Sequence, residues 1–389
     1  MPTSINPRPK VLLLIPHLGG GGAEQVTALL ARNLSSAKYE VHLGLVTQSG
    51  VDSNPMPPSV CLHPLGAARV RFGIWPLLRL VWRLKPEVIL SGMAHLNLLV
   101  LLLRPLFPRG TRVLVRQNGA LASAQAFGDV RGYTRLLYRL LYRRADCVVC
   151  QTPAMALELA RELRIPETRL VVLPNPVDVE AIRAEARAAP GHPAHWSGLD
   201  PRSGPHLLAV GRLSREKGFD LLLSALAIVR ERFPTADLII AGTGAEEAPL
   251  KAQCRQLGLE SAVFFAGHVQ RPAEYFRAAS VFVLSSRHEG MPNAMLEAAA
   301  AGLPIVALPS SQGVVDLLGH EPGVWLAGEI SSPALRNTLL AALASLQPYE
   351  RFSHTFIQEF ALDQAIQAYE SILDTALAGS KLSQSATAD

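Results

Sequence analysis

Cysteine is scarce, with four in 389 residues: Cys61, Cys147, Cys150 and Cys254. That excludes a disulfide framework and fits a reducing compartment. Only Cys147 and Cys150 are close, within Ala145-Asp146-Cys147-Val148-Val149-Cys150, an apolar run that reads as a buried strand rather than a redox or metal pair. Charge is also low, 18% against 49% hydrophobic residues, with a mean hydropathy of +0.21, which excludes a disordered chain. Long hydrophobic runs are missing: the most lipid-like, Leu98 to Leu103, is far short of the ~20 residues that span a bilayer. The opening MPTSINPRPK is polar and proline-broken, so no secretory leader is expected. Gly and Pro, 29 each, follow no period, which excludes collagen-like sequence. Three signatures of phosphate or metal sites are absent as well: Gly-x-Gly-x-x-Gly, the Gly-Lys-Ser/Thr P-loop and Asp-x-Asp.

What is present is a repeated order of strand, turn and helix. Val11 to Ile15 is a continuous apolar run, followed by glycines and a helical pattern over Ala23 to Leu34. Further strands are predicted at Val41 to Val46, Val88 to Ser91, Arg112 to Arg116, Cys147 to Gln151 and Leu170 to Leu173. Such near-continuous apolar strands between helices indicate parallel sheets covered on both faces. Ala184 to His206 breaks the pattern, and the order then restarts with strands at Leu207 to Val210, Leu238 to Ala241, Val263 to Ala266, Val281 to Ser285 and Ile305 to Ala307. The expectation is an α/β chain of two doubly wound, Rossmann-like halves joined near residues 175 to 205, with ligands outside the carboxyl ends of the strands.

Charge divides between the halves. Met1 to Asn175 holds 21 Lys and Arg against 9 Asp and Glu, whereas the remainder holds 16 against 23. Arginine supplies 18 of those 21. Two segments concentrate it: Arg69 to Pro86, where arginines alternate with Phe72, Trp75 and Trp82, and a helical stripe of Arg131, Arg135, Arg139 and Arg143 flanked by Tyr138 and Tyr142. Basic, aromatic and amphipathic together suit an anionic membrane surface; a solvated basic face over an ordinary core is the plainer reading. No nucleic-acid motif accompanies the charge.

Three loops carry chemistry. His17-Leu18-Gly19-Gly20-Gly21-Gly22-Ala23-Glu24 lets backbone amides approach an anion at a helix start, although alone it is equally a tight packing turn. Gly211-Arg212-Leu213-Ser214-Arg215-Glu216-Lys217-Gly218 places two cations five apart at a strand end, Arg212 as a planar fork and Lys217 as a point charge, able to grip a diphosphate. Ser286-Arg287-His288-Glu289-Gly290-Met291-Pro292-Asn293-Ala294-Met295-Leu296-Glu297 runs from strand into helix, with two carboxylates eight apart around anion-accepting amides. Carboxylates accept hydrogen bonds from paired sugar hydroxyls, so the pair suits a ribose and a hexose.

Glu289-x7-Glu297, Arg212 with Lys217, the glycine loop before Ala23-Glu24, and Leu173-Pro174-Asn175-Pro176-Val177-Asp178 together resemble the retaining nucleotide-sugar glycosyltransferases of the GT-B fold, family 4. The resemblance spans nearly the whole chain. It implies an acceptor-binding domain at 1–175, a nucleotide-sugar-binding domain at 176–362, and a last segment, 363–389, whose helix crosses back to the first domain beside an interdomain cleft. It also implies residue roles. Glu297 binds the ribose; Glu289 and the amides of Gly290, Met291, Pro292 and Asn293 face the donor sugar. Arg212 and Lys217 neutralise the diphosphate, Gly20, Gly21 and Gly22 close over it, and the backbone at His268 and Val269 reads the base. Where many members have a His, this chain has Asn118; His95 and Arg116 are the other expected cleft residues, with His95 taking over a contact.

The activity so implied is metal-independent, cofactor-free transfer of a hexose or N-acetylhexosamine from a UDP-sugar. The resemblance suggests retention at the anomeric carbon, and the basic first half suggests a polyprenyl-diphosphate-linked glycan acceptor at the cytoplasmic membrane face. Preorganised cations and helix amides stabilise the departing diphosphate. A glycosidase using Glu289 and Glu297 is the rival among hydrolases, but hydrolysis needs no cationic diphosphate grip. A GT-B epimerase or phosphorylase and a non-catalytic sugar-nucleotide-binding module are the other readings.

Overall fold

The computed structural model describes residues 7–19, 21–47, 55–119, 132–188, 204–269 and 272–379. The chain divides into two compact units, Met1–Pro176 with Asp363–Asp389, and Val177–Leu362.

The first unit is built on a seven-stranded parallel sheet. Its strands are β1 (Lys10–Ile15), β2 (Glu40–Leu45), β3 (Val60–Pro64), β4 (Val88–Ser91), β5 (Arg112–Arg116), β6 (Cys147–Cys150) and β7 (Leu170–Val172), in the order β3-β2-β1-β4-β5-β6-β7. Val11 to Ile15 are wholly buried because helices cover both faces, and each such side chain contributes roughly 1.5–3 kcal/mol. One face carries α2 (Ile74–Leu84), α3 (Ala94–Leu103) and α4 (Gly132–Tyr142), which share a core through Leu77, Leu80, Leu96, Val100, Tyr138 and Leu141. The first helix, α1 (Gly22–Asn33), follows β1 directly. Cys147 and Cys150 are free and buried, and burial pushes the Cys150 thiol up to about 12.

The second unit has six parallel strands: β8 (His206–Val210), β9 (Asp237–Ala241), β10 (Val263–Gly267), β11 (Val281–Leu284), β12 (Ile305–Ala307) and β13 (Val324–Leu326), in the order β10-β9-β8-β11-β12-β13. In each sheet the direction of winding reverses once, between β1 and β4 and between β8 and β11. Those switch points are where the carboxyl ends leave room for a ligand. The glycine loop leaves β1, the segment containing His95 leaves β4, the Arg212–Lys217 loop leaves β8 and the Glu289 loop leaves β11.

Helix α4 departs from expectation. Tyr138 and Tyr142 do not flank an outer stripe; they are buried, while Leu136, Leu137 and Leu140 are exposed. Tyr142 can be core because its hydroxyl donates to Gln117 Oε1 at 2.7 Å and accepts from Asn97 Nδ2 at 3.2 Å. Arg131 lies outside the described residues, and Arg143 follows the helix end.

Candidate functional site

In the second unit three loops are tied together at the carboxyl end of the sheet. Gly218, which ends the turn after β8, has φ +64°, and a Cβ there would sit 2.0 Å from the Ser285 carbonyl oxygen. Only glycine permits that close approach. It lets Ser285 Oγ donate to the Lys217 carbonyl at 2.9 Å, and the Arg287 amide donate to the Glu216 carbonyl at 2.7 Å. Gly242 repeats the device between the β8 and β9 loops: a Cβ there would lie 1.8 Å from Gly211 O.

The result is a charged trio. Lys217 Nζ meets Glu289 Oε1 at 2.6 Å, and Ser286 Oγ donates to the same oxygen at 2.6 Å. Both partners of the ion pair are largely covered, with side-chain exposures of 21% and 10%, so solvent screens them less than a surface pair. Beneath the trio, Arg287 grips Asp220 with two bonds of 2.6 Å and donates to the Arg215 carbonyl at 2.9 Å. Burial favours the neutral carboxyl of Asp220, yet the Arg287 guanidinium outweighs it and holds the carboxyl below its ordinary range.

The other expected donor residues surround this trio with less direct contact. Arg212 turns to Glu216 Oε1 at 2.7 Å, and its side chain is 71% exposed. Glu297 lies on the helix Asn293–Ala300 that follows the Glu289 loop. Among the described residues no hydrogen bond or ion pair joins Arg212 or Glu297 to Lys217, Ser286 or Glu289. The Glu297 carboxyl has no hydrogen-bond partner among them, and burial pushes it up to about 7. Met291 and Pro292 are buried, and Pro292 precedes the first turn of that helix. His268 is exposed just past β10, and Val269 packs against the core. Ser310 hydroxyl is buried without a partner among the described residues, on the loop whose carbonyl accepts from the Glu289 amide.

The first unit gathers a different chemistry at its switch point. Gly21 precedes α1 and Gly22 opens it, while Gly20 lies outside the described residues. Glu24 is buried, with Oε1 3.8 Å from His17 Nε2. A Cβ on Gly21 would approach Glu24 Oε2 to 2.8 Å, so the loop is shaped around that carboxylate. His95, in the first turn of α3, is exposed on its outer side; the protein beneath it holds its pKa below the ordinary value, with Glu24 acting in the opposite sense.

Arg116, expected as a ligand-facing residue, is buried within the first unit. It is 1% exposed, and its guanidinium is consumed by Tyr369 OH at 3.1 Å, Asn118 Oδ1 and Asn175 Oδ1. A buried cation needs such partners. Its effect on ligand chemistry is therefore indirect: it orients Asn118, whose amide donates to the Gly92 carbonyl.

Sequence reasoning missed the Asp220–Arg287 pair and Ser286. Asp220 reads as an ordinary acidic residue in a helix first turn, and Arg287 as one more cation of a loop. Among the described residues, no three His, Cys, Asp or Glu side chains gather as a metal-ligand group.

Comparison with known proteins covers both units. Residues 195–357 match the family model for glycosyl transferases group 1, and residues 20–181 match that for glycosyltransferase family 4. The chain is 29% identical over 282 residues to the lipopolysaccharide core biosynthesis glycosyltransferase LpsE of Rhizobium meliloti, covering 68% of this chain and 73% of that one. It is 26% identical over 325 residues to the N-acetylgalactosamine-N,N'-diacetylbacillosaminyl-diphospho-undecaprenol 4-alpha-N-acetylgalactosaminyltransferase of Campylobacter jejuni, covering 80% and 84%. Against an uncharacterized glycosyltransferase of Haemophilus influenzae, 30% identical over 170 residues, the match covers 43% of this chain and 48% of the relative. Among solved structures, Anabaena HepE in complex with UDP and glucose superposes with a TM-score of 0.77 at 18% identity, covering 95% of this chain and all of that one.

Proposed function

Because the chain belongs to the group 1, family 4 glycosyltransferases and has their GT-B fold, we propose that it moves a hexose or N-acetylhexosamine from a UDP-sugar to a growing glycan in polysaccharide biosynthesis. The acceptor in this reading is linked to a polyprenyl diphosphate, and the anomeric configuration is retained. The observation that carries it is the Lys217–Glu289 contact at the β8/β11 switch point. A covered ammonium there is the group that a leaving diphosphate requires, and a carboxylate beside it suits the hydroxyls of the attached sugar. UDP is favoured by the solved complex of HepE with UDP and glucose. The lipid-linked acceptor is favoured by the diphospho-undecaprenol substrate in the name of the Campylobacter relative.

The chemistry follows from charge. Breaking the anomeric C–O bond leaves negative charge on the diphosphate and positive character on the sugar ring. Lys217 turns from Glu289 to the phosphate, Arg212 swings its exposed fork inward from Glu216, and the amides of Gly290 to Asn293 add their dipoles. These groups carry the phosphate charge without a metal ion. Glu289, released from Lys217, accepts from sugar hydroxyls, and Glu297 accepts from the ribose. No protein nucleophile is assigned.

The reading includes a place: the cytoplasmic membrane face, held peripherally. No helix of the described residues is long and apolar enough to cross a membrane. Phe72, Trp75 and Trp82 around α2, Leu102 on α3, and Leu136, Leu137 and Leu140 on α4 are exposed on helices that pack side by side over one sheet face. Large apolar side chains so exposed among arginines favour a lipid surface over bulk water.

Lys217→Ala and Glu297→Ala test the donor assignment. Each is expected to lower transfer from a UDP-sugar by roughly 100-fold, the usual effect of removing one preorganised group, with circular dichroism unchanged. Undiminished rates in both overturn it.

A further inference from the structure

One hollow of the first unit belongs to neither switch point. It opens beside β3, the edge strand of the sheet, against α2, with a volume of about 570 Å3. Leu62 and His63 of β3 line one side, and Trp75, Arg79 and Arg83 of α2 line the other. Residues 75, 79 and 83 are spaced by four and so lie along one stripe of the helix. Leu77, Leu80 and Val81 occupy the opposite, buried stripe.

Several arginines of the first unit are held by carboxylates. Arg104 and Arg112 are paired with Asp146, and Arg135 is paired with Glu162. Arg79 and Arg83 are exposed and have no ion-pair or hydrogen-bond partner among the described residues. Two free guanidiniums one turn apart in a concavity make a strong attractor for a phosphate, which each can meet with a planar fork. His63 stands at the wall with its ring fixed: Nε2 lies 2.9 Å from His42 Nδ1, whose other nitrogen is 3.0 Å from Glu40 Oε1. Burial, then the charges of His42 and Arg83, holds the His63 pKa below its ordinary value, so a neutral ring adds hydrogen bonding without crowding the arginines.

The rim is apolar. Trp75 is 79% exposed, the highest value among the large hydrophobic side chains of the described residues, and Phe72 and Trp82 flank it. Arg71 lies 4.9 Å over the Phe72 ring, and Trp82 Nε1 donates to the Leu106 carbonyl at 2.9 Å. A Trp whose polar edge is satisfied and whose ring faces outward matches the headgroup level of a bilayer.

We propose that this hollow between β3 and α2 binds the phosphate of an anionic phospholipid head group, with Trp75 and Trp82 seated at the headgroup level. It rests on the membrane reading above and adds to it a defined headgroup site in place of a diffuse basic face.

Vesicle co-sedimentation tests it, using phosphatidylcholine vesicles with and without phosphatidylglycerol. The full chain is compared with Arg79→Gln/Arg83→Gln and with Arg143→Gln/Arg144→Gln, which removes equal charge from exposed positions beyond α4. The expected result is a roughly 30-fold weaker affinity for phosphatidylglycerol vesicles in the first double variant, two contacts at about 1 kcal/mol each, and at most a few-fold loss in the second. Arg79→Lys/Arg83→Lys, which keeps charge but not the forks, is expected to recover only part of the loss. Equal losses in the two glutamine variants overturn the hollow while leaving the membrane reading intact. Equal binding of the unaltered chain to both vesicle types overturns the hollow, and recovery of that chain in the supernatant with both vesicle types overturns the membrane reading as well. Capture by phosphatidylcholine vesicles carrying polyprenyl diphosphate, with no response to phosphatidylglycerol, transfers the surface to the acceptor lipid and overturns the phospholipid site.

Discussion

On the proposed reading, in which Glu297 binds the ribose, donor binding is expected to depend on pH in a definite direction. With its pKa pushed up to about 7 by burial, the Glu297 carboxyl is mostly protonated at pH 6 and mostly ionised at pH 8. Ribose hydroxyls donate to the ionised form more strongly than to the neutral one. If the carboxylate alone binds well, the affinity for a UDP-sugar rises by roughly tenfold between pH 6 and pH 8, about 1.4 kcal/mol. A sugar nucleotide is the proper probe, because its diphosphate, esterified at both ends, does not titrate in that range as free UDP does. Isothermal titration at several pH values, repeated on Glu297→Gln, isolates the effect of Glu297. The variant is expected to bind more weakly at pH 8 and to lose most of the slope. A stability effect accompanies it. A carboxyl whose folded pKa lies above the unfolded value stabilises the native state below about pH 4.5, and that stability is lost as the pH rises through about 7. Glu297→Gln removes the penalty, so the unliganded variant is expected to melt a few degrees higher than the parent at pH 8. Identical pH slopes for the two proteins refute the reasoning, as does a variant that melts lower at pH 8.

Asp220→Asn breaks the clamp that presents Lys217 to Glu289. Because Asp220 is 43% exposed, the stability loss is modest, about 0.5–1 kcal/mol, but the KM for the donor is expected to rise with little change in kcat. Since Arg287 holds the Asp220 carboxyl below its ordinary range, the clamp's contribution is present above about pH 4 and is lost as the pH falls further; acid unfolding of the parent but not of Asp220→Asn is expected to show it. Gly218→Ala meets both a left-handed backbone and the Ser285 carbonyl. A loss of about 2–4 kcal/mol in thermal unfolding is expected, at the upper end for such a strained position.

The strands covered on both faces were legible in the sequence, as were the edge strands β7 and β10, whereas the edge strands β3 and β13 were not. Val11 to Ile15 and Val281 to Leu284 are covered on both faces and so read as unbroken apolar runs. Strands β3 and β13 stand at sheet edges. In β3, Cys61, Leu62 and Pro64 are exposed, and β13 is only half-buried, so neither carries that signal. The tyrosines of α4 misled for a related reason: a polar handle suggested an outer position, but Asn97 and Gln117 satisfy Tyr142 inside. Lys217 and Glu289, 72 residues apart, were recognisable because each sits in its own motif at a strand end. Arg116 was misplaced because its partner Tyr369 lies 253 residues away, and no local pattern announces that contact.

The two switch points are alike in topology and unlike in charge, and that contrast argues for a division of labour. At the second, Lys217 and Arg212 supply free or exchangeable cations, and glycines bring three loops within bonding distance. A diphosphate needs that concentration of positive charge, because its own repulsion must be offset before the anomeric bond can break. At the first, the glycine loop closes around the buried carboxylate of Glu24, with His17 and His95 near it. A carboxylate at that position accepts hydrogen bonds and so suits a hydroxyl-bearing ligand. Buried Arg116 does not reverse the balance, since its charge is spent on Asn118, Asn175 and Tyr369. The electrostatics of each unit taken alone therefore favour donor binding by the second and acceptor hydroxyls at the first. Arg79 and Arg83, two exposed cations of the first unit with no ion-pair partner among the described residues, lie instead in the edge hollow beside β3, away from the strand ends where the sugar would be transferred.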